Sequence, residues 1–123
     1  MTIKESLNYF INQSLFCRNI EICGFLGKRN GEYECRVVKN KHPNPREFFS
    51  IDPVEYLKFM REHEMVAIFH SHIQGDSQAS EFDKVNSENT LVPFLIYSVP
   101  EKKFSLFEPP NHECNVEEVK NSL

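Results

Sequence analysis

No run of basic residues longer than the pairs Lys28-Arg29 and Lys102-Lys103 occurs in this chain, and its formal net charge is -4. The broad positive field that a nucleic-acid partner requires is therefore missing, and no such partner is expected. No apolar stretch reaches the roughly 20 residues of a membrane span. The amphipathic start, MTIKESLNYF, lacks the continuous apolar core of a signal peptide. The four cysteines, Cys17, Cys23, Cys35 and Cys114, form no C-x-x-C pair and no dense framework. Free thiols in a reducing, cytoplasmic setting with no membrane partner are the expectation. Repeats and low-complexity tracts are also lacking, and 123 residues suffice for one modest core.

What is present reads as alternating helices and strands. Ile3, Leu7, Phe10, Ile11 and Leu15 share one helical face, with Thr2 and Glu5 as a capping box. Residues 20–27 predict a strand, Gly31 a turn, and residues 32–39 a hairpin partner. Pro43 and Pro45, two apart, make residues 41–46 a loop. A second helix opens with Asp52 as N-cap, Pro53 at its first position and Glu55 completing a capping box, and runs to about Glu64. Met65-Val66-Ala67-Ile68-Phe69 predicts a strand buried on both faces. A polar loop, a helix over residues 80–89 and strands over 93–99 and 104–107 complete the pattern. Pro109-Pro110 end the organised region, leaving about residues 110–123 as a loose tail. The order α-β-β-α-β-α-β-β implies a single α+β domain over residues 1–123, one mixed sheet with flanking helices.

Chemistry concentrates after the buried strand. Side chains two apart on a strand point the same way, so His70 and His72 share a face at its end. Two imidazoles there suit zinc, which takes four nitrogen or oxygen donors and keeps one position for water in a catalytic site. Asp83, in the first turn of the next helix, can point back as a third donor, with Asp76 and Glu81 as local competitors. Taken alone, Ser80-x-x-Asp83 is a helix cap and Glu21 a carboxylate at a strand entrance.

Taken together, H-x-H-x7-S-x2-D with an upstream Glu21-Ile22-Cys23-Gly24-Phe25-Leu26 resembles the JAMM/MPN zinc metalloprotease family. Asn44-Pro45, Phe49, Ile51-Asp52-Pro53, and the stretch from Pro93 to Ser98 followed by Phe107-Glu108-Pro109 are similar to its prokaryotic, phage-type JAB members, as in the N-terminal peptidase domain of tail-assembly proteins. The resemblance implies a cytidine-deaminase-like fold, and a Zn²⁺ held by His70, His72, Asp83 and a water. It makes Glu21 the general base and Ser80 an oxyanion donor. The implied activity is hydrolysis of a peptide or isopeptide bond in a protein or peptide substrate (a ubiquitin-like protein, a phage structural protein or a cell-wall peptide), in the host cytoplasm if phage-encoded. A tail-assembly or scaffold role for the same fold is the alternative. The chain departs from many members by carrying Ile73, not proline, after the second histidine, and has little room for insertions that grip ubiquitin.

Other hydrolase patterns fit less well. The H-x-E and P-C-x-x-C of zinc deaminases do not occur. His63-Glu64 is followed by Ala67 where H-E-x-x-H needs histidine. A thiol hydrolase built on Cys23 and His70 leaves Ser80 and Asp83 without a role.

Overall fold

The computed structural model describes residues 1–123. Its elements are α1 (Ile3–Phe16), β1 (Cys23–Arg29), β2 (Glu32–Val38), α2 (Pro53–Glu62), β3 (Glu64–His72), α3 (Glu81–Thr90), β4 (Phe94–Ser98), β5 (Lys103–Phe107) and α4 (Glu117–Ser122). The five strands form one mixed sheet in the order β2-β1-β3-β4-β5. Only β3 and β4 run parallel; such a pair needs a crossover, and α3 supplies it. Asn30 and Gly31, both at positive φ (54° and 79°), close the β1–β2 hairpin as a two-residue turn matched to strand twist.

Alternation along the central strand β3 sorts the core into two layers. Phe69 stacks on Phe10 of α1 at 4.0 Å and packs with Leu26, Leu95, Val116 and Val119. On the opposite face Ile68 packs with Phe25, Phe59, Phe94 and Phe49, under α2 and the loop that precedes it. Each such buried aromatic or aliphatic side chain contributes roughly 1.5–3 kcal/mol. His70 and His72 continue the Ile68 face to the end of β3, so the strand outlasts its apolar run by three residues.

The proline loop is fastened by one side chain. Asn40, buried, donates from Nδ2 to the carbonyls of Glu21 and Phe48, both at 2.9 Å. Its Oδ1 accepts from the N–H groups of His42 and Ser50 at 3.0 and 3.1 Å. Every valence of the amide is used, as burial demands.

Three expectations are corrected. Asp52 caps α2 through Val54 N–H at 2.9 Å, but Glu55 returns no bond; the other Asp52 oxygen holds Lys41 at 2.9 Å. That helix stops at Glu62, where the His63 N–H closes the last turn on Phe59 O. Residues 110–123 are not a loose tail: α4 docks with Val119 fully buried and Val116 nearly so. Ion pairs Lys28–Glu118 at 3.4 Å and Lys120–Glu108 at 3.3 Å flank it. No helix is long and apolar enough to cross a membrane, and all four cysteines are unpaired.

Val119→Asp tests the docking of α4. Placing a carboxylate in this apolar site is expected to lower the unfolding free energy by about 3 kcal/mol in a urea titration; a loose tail would leave it unchanged.

Candidate metal centre

At the end of β3, three donor groups converge. His70 Nε2 lies 3.2 Å from His72 Nε2. The Asp83 carboxylate spans both rings, with Oδ1 at 3.1 Å from His70 Nε2 and Oδ2 at 3.0 Å from His72 Nε2. A tetrahedral ion with bonds of about 2.0–2.1 Å sets its donors roughly 3.3 Å apart, close to the separation of the two Nε2 atoms and to that of each Nε2 from its nearer Asp83 oxygen. Asp83 gets there because Ser80 caps α3: Ser80 Oγ accepts from Asp83 N–H at 3.1 Å while Ser80 N–H donates to Asp83 Oδ2 at 3.0 Å. The cap that starts the helix also aims the carboxylate. Glu21 enters from β1's N-terminal side, where a carboxylate oxygen lies within 4.8 Å of both histidine nitrogens.

Protonation follows from the partners. His72 Nδ1 lies 2.8 Å from the Asp76 carbonyl, an obligate acceptor, so this nitrogen carries a proton and Nε2 is the nitrogen turned toward Asp83 and His70. Burial opposes charge on His72, yet its hydrogen bonds to Asp83 and Asp76 outweigh this and raise its pKa. His70 is fully buried, stacked on Phe49 at 4.4 Å with Phe94 at its edge, and burial holds it neutral. Its Nδ1 has no hydrogen-bond partner. Burial acts to raise the Asp83 pKa too, but both imidazoles and the Ser80 N–H bind its anion and bring the net shift well below the usual range. Glu21 goes the other way: burial, reinforced by Asp83 and Glu47 and only partly offset by His72, pushes it to about 8. Two carboxylates in one site thus divide into a permanent anion and a proton acceptor poised near neutrality.

Residues 6–108 match the family described as prokaryotic homologs of the JAB domain. The chain belongs to that family. This JAB domain is 32% identical over 89 residues to a tail tip assembly protein K of Escherichia phage N15, covering 72% of this chain and 37% of that protein. It is 44% identical over 61 residues to a desampylase of Pyrococcus furiosus, covering 45% of this chain and 43% of that protein. The chain therefore spans less than half the length of either relative. A protein from Desulfitobacterium hafniense of known solution structure shares the fold, with a TM-score of 0.67 at 26% identity over 85% of this chain and 78% of that one.

In this JAB domain His72 and Glu21 border a cleft of about 380 Å³, lined also by Arg46, Glu47, Asp76 and Ser80, while His70 and Asp83 are buried. A larger cavity, about 500 Å³, is lined by Phe49 and Phe82 among others; its walls are mainly apolar and carry no carboxylate, unlike the smaller cleft. Of the competing ligands, Asp76 offers His72 its carbonyl while its carboxylate caps Gln78 N–H, and Glu81 is an exposed partner of Lys84. Cys23 is fully buried, and burial with the nearby Glu21 drives its thiol to about 12, which removes the thiolate a cysteine hydrolase needs. Sequence reasoning missed Asn40, Arg46, Glu47 and the Asp76 carbonyl. All reach the site through loop geometry that no spacing rule encodes.

The Glu21 shift has a measurable sign in metal-free protein. Between its unfolded value of 4.5 and its folded value of about 8, the folded state keeps a proton that the unfolded chain has lost. Stability contributed by that proton is lost as pH rises through this window, and Glu21→Gln is spared the loss. Relative to wild type, the variant is expected to gain about 2–4 kcal/mol between pH 4.5 and about pH 8.5 in urea titrations with chelator. A pH-independent difference would show Glu21 to be unperturbed.

Proposed function

We propose that this JAB domain is a zinc-dependent hydrolase of peptide or isopeptide bonds, with His70, His72 and Asp83 as ligands. The observation that carries the reading is the pair of Nε2 atoms 3.2 Å apart, bridged by the two oxygens of one carboxylate at 3.1 and 3.0 Å, beside a second carboxylate of opposite protonation behaviour. Glu21 is assigned as base and not ligand for two reasons. Burial raises its affinity for a proton, and its carboxylate makes no hydrogen bond within the protein while it borders the cleft. When bound, zinc lowers the pKa of a water in the fourth position toward about 7 and polarises the scissile carbonyl.

The chain's own groups do the rest. Glu21 accepts the proton of the attacking water and returns it to the departing amine, so the base of the first step is the acid of the second. Ser80 Oγ accepts from Asp83 N–H, which leaves its own proton free to donate to the oxyanion from a solvent-exposed position in the cleft. His72 is held in its ligand tautomer by the Asp76 carbonyl, and Phe49 keeps His70 in place from behind. The desampylase relative favours an isopeptide bond. A protein substrate and a cytoplasmic setting complete the reading. The tail tip assembly relative, which covers more of the chain, favours a second role in assembly. A Glu21→Gln chain that still supports tail assembly would establish that role as separate from catalysis.

The test uses zinc content and two fluorescent probes: a peptide joined through its C-terminal carboxyl to a lysine Nε, and the same sequence joined to a lysine α-amine. Wild type is expected to carry about one zinc per chain and cleave at least one probe. His70→Ala and Asp83→Ala are expected to lose the metal. Glu21→Gln is expected to retain it while turnover falls by about 10²–10⁴, and Ser80→Ala to lose about 10²–10³ in turnover. Metal retained in both ligand variants, or neither probe cleaved by the zinc-loaded wild type, would overturn the reading.

A further inference from the structure

Ser71 sits between the two histidines, yet by strand alternation its side chain points to the opposite face of β3 and cannot reach the cleft. It is fully buried. In the β1–β3 register Cys23 stands opposite His70, which brings Ile22, just before β1, opposite Ser71. The pairing there is unusual. Ser71 N–H donates to the Ile22 carbonyl at 3.0 Å, but Ile22 N–H donates to Ser71 Oγ, at 2.9 Å, and not to a backbone carbonyl. A hydroxyl thus closes the bond that the strand ladder leaves open.

The neighbouring peptide is tied from the other side. Glu21 N–H donates to the Pro45 carbonyl at 2.7 Å, and the Glu21 carbonyl accepts from Asn40 Nδ2 at 2.9 Å. All four backbone groups of residues 21 and 22 are therefore bonded, two of them by side chains. Glu21's carboxylate makes no bond that would fix its place. Its position over the histidines is set by where this backbone is held.

We infer that Ser71 is a positioning residue: its hydroxyl fixes the residue 21–22 peptide and so keeps the Glu21 carboxylate aimed at the reacting water. The inference rests on the reading of Glu21 as the base. It gives the residue between the two histidines a task distinct from metal binding. Ser71→Ala removes the acceptor with little change in volume, and Ser71→Thr keeps it.

The experiment combines kinetics on the probe that wild type cleaves, zinc content, and amide hydrogen exchange by NMR. Ser71→Ala is expected to keep its zinc and its KM while kcat falls about 10–100-fold, the scale of a displacement near 1 Å at a reacting group. Ser71→Thr is expected to recover most of that loss. Exchange should be slow at Ile22 N–H in wild type, and fast in Ser71→Ala with Cys23–Arg29 unchanged. This reading of the tether needs no turnover. Should Ser71→Ala fail to fold, the wild-type exchange rate and the Thr variant still decide: fast exchange at Ile22 in wild type, or a folded, protected Thr variant with no activity, overturns the inference. An equally active Ser71→Ala beside an active wild type overturns it alone. A zinc-loaded wild type that cleaves neither probe overturns the functional reading and the inference with it.

Discussion

A buried carboxylate must be matched by positive charge or hydrogen-bond donors, or it takes up a proton. Asp83 is almost completely buried and meets that demand with both imidazoles and a backbone N–H at once. This single anion decides the rest of the site. It draws the Nε2 atoms of His70 and His72 together, one ring on each of its oxygens. It also raises the cost of a second negative charge nearby, which helps keep Glu21 protonated to higher pH. The helix that delivers it adds the positive end of its dipole, since Asp83 lies in the first turn of α3.

Several features at this end of the sheet reduce fold stability in isolation. His70 Nδ1 is buried without a partner, at a cost of about 1–3 kcal/mol. Glu21 is buried with no side-chain hydrogen bond, and its ionised form works against the folded state. Local rules are broken here and obeyed elsewhere: core residues such as Phe10 and Phe69 stack in two tight layers, and Asn40 satisfies every valence. Violations gathered at one end of the sheet are the pattern expected where selection for function offsets stability.

Much of this architecture was legible in the sequence because it rests on local chemistry. The Thr2–Glu5 and Ser80–Asp83 boxes form with both bonds, and the alternation of β3 places His70 and His72 together. Where a reading slipped, a distant group had intervened. Lys41, eleven residues away, takes the Asp52 oxygen and Glu55 stays out of the cap. The acidic C-terminal segment gave no helical signal, because its anchorage depends on Val116 and Val119 reaching the core beside α1. In the site, strand alternation grouped His70 with His72, and the resemblance to a known metalloprotease motif added Glu21, Ser80 and Asp83. Their supports could not be found in either way: Asn40, Ser71 and the Asp76 carbonyl act across loops and between strands, through contacts that have no sequence period.

The central claim is that two imidazoles and the Asp83 carboxylate close on one zinc ion. X-ray absorption at the zinc edge of the metal-loaded chain tests it most directly. The account predicts imidazole scattering from two histidines and a first shell of about four nitrogen and oxygen atoms near 2.0–2.1 Å. In Asp83→Asn any residual metal would show a longer or depleted oxygen shell. A first shell containing sulfur near about 2.3 Å, or one of oxygen alone with no imidazole signature, would place the ion elsewhere and contradict the account.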